Sequence, residues 1–163
     1  MTETVIRWVD PAELPALIGA KPLDGLGYLE RLRDGTLPDA PAITATGARL
    51  VEIERGRAVV HFVPDLVHCN ALRQVHGGVV STLLDTAIGY AVVSALPFGE
   101  GFATVQLNVH FIRGIAPGEG MVTIESRLVR QGRRIIVAEA ELRSPGDKLC
   151  ARASATCMAS HAA

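Results

Sequence analysis

Apolar residues repeat with two different periods along this chain. From residue 47 onward they mostly alternate with polar residues, a pattern that indicates β-strands with one buried face. Between residues 78 and 96 they recur at helical spacing and cover most of the circumference, which predicts one long and largely buried helix. Turn residues rich in Gly and Pro separate these segments. The predicted strands cover residues 48–54, 57–63, 104–113, 121–130, 134–143 and 148–158.

The predicted helix contains many small residues, namely Gly78, Ala87, Gly89, Ala91 and Ala95. Small side chains allow a curved sheet to approach a helix closely. Two strands, one buried helix and four more strands joined by short turns therefore predict an α+β fold. In this fold a curved antiparallel sheet of about six strands wraps around one central helix. Strand order alone does not single out one family with this architecture.

The first 45 residues differ from the rest of the chain. Five prolines interrupt them, and two short helical patterns are visible, at residues 10–18 and 24–33. A segment of this size is too small to form a hydrophobic core of its own. We therefore expect residues 1–45 to be an N-terminal helical extension, packed on a main domain at residues 46–160.

Composition narrows the function classes. The chain has 163 residues, 48% of them hydrophobic, and a formal net charge of -1, so we expect one folded domain with no affinity for nucleic acid or an anionic membrane. Its three cysteines show no CxxC spacing, which argues against a disulfide framework or a zinc site. This cysteine usage fits a reducing cytoplasm. No apolar run approaches the roughly 20 residues that span a bilayer.

Candidate chemistry is concentrated at residues 70–87, NALRQVHGGVVSTLLDTA. The pair Gly77-Gly78 lies where a loop enters the helix, so its N–H groups can face a ligand with the positive end of the helix dipole behind them. Such groups stabilise a developing oxyanion. His76 and Asn70 supply further hydrogen-bonding groups near the same loop. Taken singly, these residues also fit an ordinary tight turn and a helix cap.

Asp85 is harder to explain structurally, because it lies two turns into a helix that is otherwise built for burial. Burying a carboxylate there costs free energy unless the group is paired with a partner or hydrated, so an unpaired one suggests a functional role. Desolvation would also move its pKa toward the range useful for proton transfer. The structural alternative is a local hydrogen bond to Ser81 or a contact with a partner subunit.

Taken together, the spacing N-x5-HGG-x6-D-x-A, followed by T-x-Q-L-x-V-x-F-x-R at residues 104–113, resembles the acyl-CoA thioesterases of the hotdog superfamily. The closest group is the phenylacetate-degradation type, called PaaI-like. Residues 132–134 (GRR), the final strand and the extension from residue 25 also look like this family. The resemblance covers residues 25–160, and HGG-x6-D is its specific part.

The resemblance implies a site for thioester hydrolysis. Asp85 would act as general base or nucleophile, and the Gly77 N–H would polarise the thioester carbonyl. Asn70 would position the carbonyl or the water, Thr104 would hold the attacking water, and His76 would assist the departing thiolate. No cofactor is implied, because coenzyme A is part of the substrate. Homodimers, or dimers of dimers, with active sites at the dimer interface are also implied.

Substrate contacts are implied for Gly78 and, through the coenzyme A phosphates, for Arg113, Arg133 and Arg134. One departure concerns Arg73, because many relatives carry glycine at that position. This departure leaves the acyl-group specificity open.

Two other functions also stay open at this point, a hydratase acting on enoyl or hydroxyacyl thioesters and a non-catalytic acyl-CoA sensor. The N-terminal 45 residues are neither basic nor of helix-turn-helix type, which disfavours a DNA-linked sensor.

Overall fold

The computed structural model describes residues 23–161, so the predicted helix at residues 10–18 lies outside the described residues. Within the described range the elements follow the predicted order, with two short helices added. The helices are α1 (Gly25–Arg33), α2 (Pro41–Thr44) and α3 (Gly77–Val93), with a 3-10 turn at Leu66–His68. The strands are β1 (Arg49–Glu54), β2 (Arg57–Phe62), β3 (Glu100–Phe111), β4 (Val122–Gln131), β5 (Ile135–Ser144) and β6 (Lys148–His161).

The six strands form one sheet in the order β1-β2-β4-β5-β6-β3, with every neighbouring pair antiparallel. Helix α3 packs on one face of this sheet and contacts all six strands. The predicted fold, a curved antiparallel sheet around a central helix, is confirmed. Strand β3 forms one edge of the sheet, and this position matters for the site described below.

Strand β3 begins four residues earlier than predicted. Gly99, just before the strand, adopts the left-handed conformation with φ of 79°. The strand nevertheless starts at Glu100, because residues 100–103 pair with the last four residues of β6. Pairing between two strands thus outweighs the weak strand preference of this local sequence. A bulge at Val105 interrupts the register, since Thr104 pairs with Cys157 and Gln106 with Thr156.

Small residues meet at the contact between helix and sheet. Ala87 and Ala91 of α3 are fully buried, and the sheet presents further small side chains on the same inner face. The buried Ser126 hydroxyl donates a hydrogen bond of 2.6 Å to the Ala87 carbonyl oxygen, which ties the middle of α3 to β4. The sheet residues of this inner layer include Ala138, Ala140, Ala151, Ala153 and Ala155. The helix and sheet can therefore approach closely without leaving voids.

One strip of α3 is not fully covered. The side chains of this strip, and the one glycine among them, are partly exposed. Most side chains on the other sides of the helix are buried. The strip recurs at helical spacing and consists of Ser81, Thr82, Asp85, Thr86, Gly89 and Val93. Asp85 thus lies on the part of the helix that a ligand or a second protein molecule can reach.

The described part of the N-terminal extension contacts α3 in two places. The Gly25 N–H donates to the Leu96 carbonyl oxygen at 3.0 Å. A Cβ atom at Gly25 would come within 1.7 Å of the Val93 carbonyl oxygen, so this close approach requires glycine. The Tyr90 hydroxyl donates to an Asp39 carboxylate oxygen at 2.5 Å.

The Asp39 carboxyl makes stability depend on pH. Burial raises its pKa above the ordinary value of 3.8, and the hydrogen bond from Tyr90 only partly opposes this. The folded state therefore binds the Asp39 proton more tightly than the unfolded state does. At pH values between the lower pKa of the unfolded state and the higher pKa of the folded state, the free energy of unfolding falls as pH rises. We expect Asp39→Asn to increase the free energy of unfolding at pH 7 and the gain to vanish below about pH 4.

Urea unfolding between pH 4 and pH 8 measures this effect. Glu30→Gln is the matched control, because it neutralises an exposed carboxylate on α1. A loss of stability at pH 7 in Asp39→Asn would mean that the Tyr90 hydrogen bond to the ionised carboxylate outweighs the cost of burying it.

Candidate active site

Asp85 and Thr104 come together between α3 and β3. The Thr104 hydroxyl donates to Asp85 Oδ1 at 3.1 Å, and both side chains are partly exposed. The Val105 bulge allows this contact. In a regular strand Thr104 would face the side opposite Leu107, whereas the extra residue places both on the inner face. The structure thus brings together two of the residues that the sequence resemblance implies for one site.

Cys157 is a third member of this group, and the sequence analysis missed it. It pairs directly with Thr104 across β3 and β6, and its side chain is fully buried. Burial raises the pKa of the Cys157 thiol; a hydrogen bond with Thr104 lowers it, and the Asp85 carboxylate raises it further. The thiol is therefore neutral at ordinary pH. Only the strand register, which sequence alone does not give, reveals this position.

The conformation of the loop before α3 is held by hydrogen bonds of its own backbone and of the Asn70 side chain. Cys69 and Val75 form an isolated bridge, and Asn70 Oδ1 accepts the N–H groups of Leu72 at 2.9 Å and Gln74 at 3.2 Å. Because Oδ1 holds these two donors, the amide Nδ2 group is the one available to a ligand. Asn70 therefore shapes the loop in addition to any role toward substrate.

Arg73 lies at the tip of this loop with φ of 58°, in the left-handed region. Residues other than glycine adopt this conformation at a cost of about 1–2 kcal/mol. A glycine would adopt this conformation without that cost. The arginine side chain is exposed at the loop tip.

His76 is the N-cap of α3. Its Nδ1 accepts the Gly78 N–H at 2.9 Å, so in the neutral ring the proton resides on Nε2. The Gly78 N–H is therefore occupied while the cap is in place. No hydrogen-bond partner is found for the Gly77 N–H among residues 23–161. Gly77 is thus a free donor at the helix N-terminus, where a ligand can reach it.

A cavity of about 300 Å³ adjoins Gly77, lined by Val80, Phe111, Arg113 and neighbouring residues. A Cβ atom at Gly77 would meet the Phe111 ring at 3.4 Å, an ordinary van der Waals contact. Phe111 itself is 59% exposed, which is high for a phenylalanine on the inner face of a sheet. This exposed ring marks the helix N-terminus as a surface open to a further contact.

Gly77 and Asp85 do not meet within one chain. Eight residues of helix separate them, and a rise of about 1.5 Å per residue places them about 12 Å apart along the axis. A reacting carbonyl needs its oxygen about 3 Å from the donor and its carbon about 3–3.5 Å from the attacking atom. One thioester therefore cannot contact both groups of the same chain.

The three arginines expected at the coenzyme A phosphates are also separated. Arg113 follows the end of β3 near the N-terminus of α3, where its N–H donates to the Cys150 carbonyl oxygen. Arg133 and Arg134 lie in the turn between β4 and β5, at the other end of the sheet, where Gln131 contacts Ala95 just beyond α3. The structure of one chain does not bring them to a common point.

Within residues 23–161, no group of three or more His, Cys, Asp and Glu side chains is arranged to hold a metal ion. No helix in that range is long and apolar enough to cross a bilayer.

Comparisons with known proteins place this site in a family. Residues 74–151, which include Gly77, Asp85 and Thr104, match the family described as Thioesterase superfamily. A presumed esterase of Saccharolobus solfataricus is 30% identical over 112 residues, covering 68% of this chain and 71% of that protein. The chain belongs to the thioesterase superfamily.

A second relative matches a shorter part of this thioesterase-superfamily chain. It is a presumed esterase of Halobacterium salinarum, 43% identical over 75 residues, or 45% of this chain. The match spans about half of that protein, 48% of its length.

Solved structures agree with the PaaI-like resemblance. A presumed thioesterase of Ralstonia eutropha JMP134, a phenylacetic acid degradation-related protein, superposes with a TM-score of 0.73 at 29% identity, covering 80% of this chain and 98% of that one. A Streptococcus mutans protein solved with acetyl-CoA bound superposes with a TM-score of 0.65 at 23% identity, covering 69% and 88%. At that identity the second likeness concerns the fold alone.

The capping role of His76 predicts a stability effect. His76→Ala removes the acceptor of the Gly78 N–H at the start of α3 and should lower the free energy of unfolding by about 0.5–2 kcal/mol. His76→Asn should retain most of the stability, because asparagine is a strong N-cap residue. Urea unfolding of both variants beside the wild type checks this, and an alanine variant as stable as the wild type would exclude capping by the ring.

Proposed function

We propose that this protein hydrolyses acyl-CoA thioesters to the free acid and coenzyme A, with Asp85 as general base or nucleophile. The observation that supports this most directly is the contact between Asp85 and Thr104 on the one open strip of α3. Family membership agrees with hydrolase chemistry. The proposal includes a cytoplasmic location and activity without a metal or organic cofactor.

In the proposed reaction Thr104 orients the carboxylate. Its hydroxyl occupies Asp85 Oδ1, which leaves Oδ2 to accept a proton from water or to attack the carbonyl carbon itself. As the new C–O bond forms, the carbonyl oxygen gains negative charge and accepts the Gly77 N–H. The C–S bond then breaks and coenzyme A leaves as its thiolate, which can accept a hydrogen bond from Nε2–H of the exposed His76 and is protonated by solvent. When Asp85 acts as base it returns its proton to solvent, and when it acts as nucleophile water hydrolyses the resulting acyl anhydride to release the free acid. A positioned base contributes about 10²–10⁴ in rate, and one oxyanion donor about 10²–10³.

The separation of Gly77 from Asp85 favours a site shared between two copies of the chain. Strand β3 is a 12-residue edge strand with Val105 and Phe111 exposed, and such edges readily pair with another strand. Antiparallel pairing of two β3 strands about a twofold axis near Leu107 would reverse the direction of the second α3. The partner's Gly77 would then approach Asp85, and each dimer would hold two sites.

Coenzyme A is the proposed carrier of the acyl group. The Streptococcus mutans protein with acetyl-CoA supports the view that this fold can hold such a thioester. In the proposed complex the phosphates are bound by Arg113, with Arg133 and Arg134 as further candidates, and Gly78 lines the entrance. Guanidinium groups suit this task because they bind phosphate bidentately.

The first test is thiol release from a panel of acyl-CoAs, comparing the wild type with Asp85→Asn. The variant keeps the size and the hydrogen bond with Thr104 but removes the base, so kcat should fall by about 10²–10⁴. Asp34→Asn, on an exposed residue after α1, is the matched control and should keep wild-type turnover. Tight binding of acyl-CoA by the wild type without thiol release would favour the sensor function instead.

A second test asks whether two copies share each site. Gly77→Pro removes the N–H donor while fitting the first helical position, where proline is well tolerated. The His76 backbone, with φ of -61° and ψ of 136°, already suits a following proline. A heterodimer of Gly77→Pro and Asp85→Asn chains, purified through two different tags, should retain one intact site of two and roughly half of wild-type activity.

Each parent homodimer should be nearly inactive, and Gly77→Ala, which keeps the N–H, should remain active. Absence of activity in the purified heterodimer would show that Gly77 and Asp85 serve the same chain's site, and the shared-site proposal would fail.

A further inference from the structure

The open strip of α3 continues past Asp85 toward the C-terminal end of the helix. After the neighbouring Thr86, the strip continues with Gly89, one turn beyond Asp85, and then Val93. Gly89 has no side chain, so the strip has a depression there. The helix rise places the centre of this depression about 6 Å from Asp85 along the axis.

Phe102 lies over this depression. It is two residues before Thr104 on β3 and pairs with Ala159, so it shares the inner face of the sheet with Thr104. Its Cζ atom would be only 3.2 Å from a Cβ atom at Gly89. The ring therefore lies close to the helix at Gly89, and it is partly exposed while its buried part packs against the core.

The strip ends at the N-terminal extension. A Cβ atom at Gly25 would come within 3.1 Å of Val93 Cγ1, so the start of α1 covers the helix at Val93. Leu26 packs against the core beside it. Between Asp85 and this closed end the surface is lined by the hydroxyl-bearing Thr86 beside Asp85 and then by the apolar residues Gly89, Val93 and Phe102.

The opposite end of α3 has a different character. It carries the helix N-terminus with its positive dipole, the exposed His76 and the exposed Arg73 and Arg113. A thioester that reacts at Asp85 has a polar, anionic half and an acyl half. The apolar dead end beyond Asp85 suits the acyl half, and the polar N-terminal end, which the α3 helix of the partner subunit supplies in the proposed shared site, suits coenzyme A.

We propose that Phe102 determines acyl-chain length by closing the strip one turn beyond Asp85. The site then takes compact acyl groups, such as butyryl, and excludes longer chains, which would have to displace the ring from Gly89. With the ring removed, the path along α3 would extend from Asp85 to Val93, about 12 Å of helix. This inference rests on the proposed hydrolysis of acyl-CoA at Asp85.

The test compares kcat/KM for acetyl-, butyryl-, octanoyl- and palmitoyl-CoA in the wild type, Phe102→Ala and Phe102→Leu. The wild type should prefer the short esters. Phe102→Ala should raise the octanoyl-to-butyryl ratio of kcat/KM by at least about tenfold, since each methylene accommodated in an apolar pocket contributes about 10-fold or more. Phe102→Leu should give a smaller change in the same direction and serves if the alanine variant does not fold.

Met158→Ala is the matched control. It truncates an apolar side chain on β6, paired with Ala103 on the outer face of the sheet, and should leave the chain-length profile unchanged. A ratio that stays within about twofold of the wild type in folded Phe102 variants would overturn the inference. A wild type that prefers palmitoyl-CoA would overturn it as well.

Failure of the proposed function has a different signature, which is no thiol release from any ester by the wild type. In that case calorimetric binding decides the role of Phe102. Octanoyl-CoA should bind Phe102→Ala at least about tenfold more tightly than it binds the wild type. Equal affinities would overturn the inference whether or not the protein is an enzyme.

Discussion

The close contact between small side chains of α3 and of the sheet is the constraint on which the rest of this structure depends. The contact is made by Ala87 on the helix and by residues such as Ala138 and Ala155 on the sheet. Because these side chains occupy little volume, the helix and the sheet pack at a short distance. A sheet this close covers most of the helix and leaves one strip beside its edge strand. A carboxylate on α3 can keep contact with water only on that strip, and Asp85 occupies it.

The same helix also bears on how many chains the proposed site needs. Its N-terminus offers the Gly77 donor, its open strip offers Asp85, and the fixed rise of the helix keeps these groups too far apart to act on one carbonyl. Moving either residue along the helix would forfeit the N-terminal donor or the contact with Thr104. The proposed antiparallel pair of chains would remove this conflict without any change in the chain, because each helix would supply a different end to each site.

Much of the fold could be predicted because the periods of the sequence are clear. The buried helix and the strand order follow from the spacing of apolar residues, and the predicted strand boundaries at β2 and β4 differ from the structure by one residue. The start of β3 could not be predicted, since it depends on pairing with the distant end of β6. The position of Cys157 beside Thr104 depends on the same register.

The candidate site was predictable as a set of residues but not as an arrangement. The motif around Gly77 and Asp85 indicates the family, and the predicted helix already separates the two residues by two turns. The contact of Asp85 with Thr104 could not be predicted, because it depends on the bulge at Val105. The capping of α3 by His76 and the left-handed backbone of Arg73 are decided by local hydrogen bonds and dihedral angles. Residue types at single positions do not specify these features.

The bulge at Val105 has a consequence for how this protein can change over evolutionary time. Simple alternation along β3 places Thr104 in the same set as Gln106 and Asn108, which face outward, and only the extra residue moves it to the side of Leu107. The number of residues between Thr104 and Leu107 is therefore constrained as strictly as their identities. Insertions or deletions in the loops can be tolerated. The loss of one residue at this point of β3 would instead turn either the Thr104 hydroxyl away from Asp85 or the apolar residues of the strand away from the core.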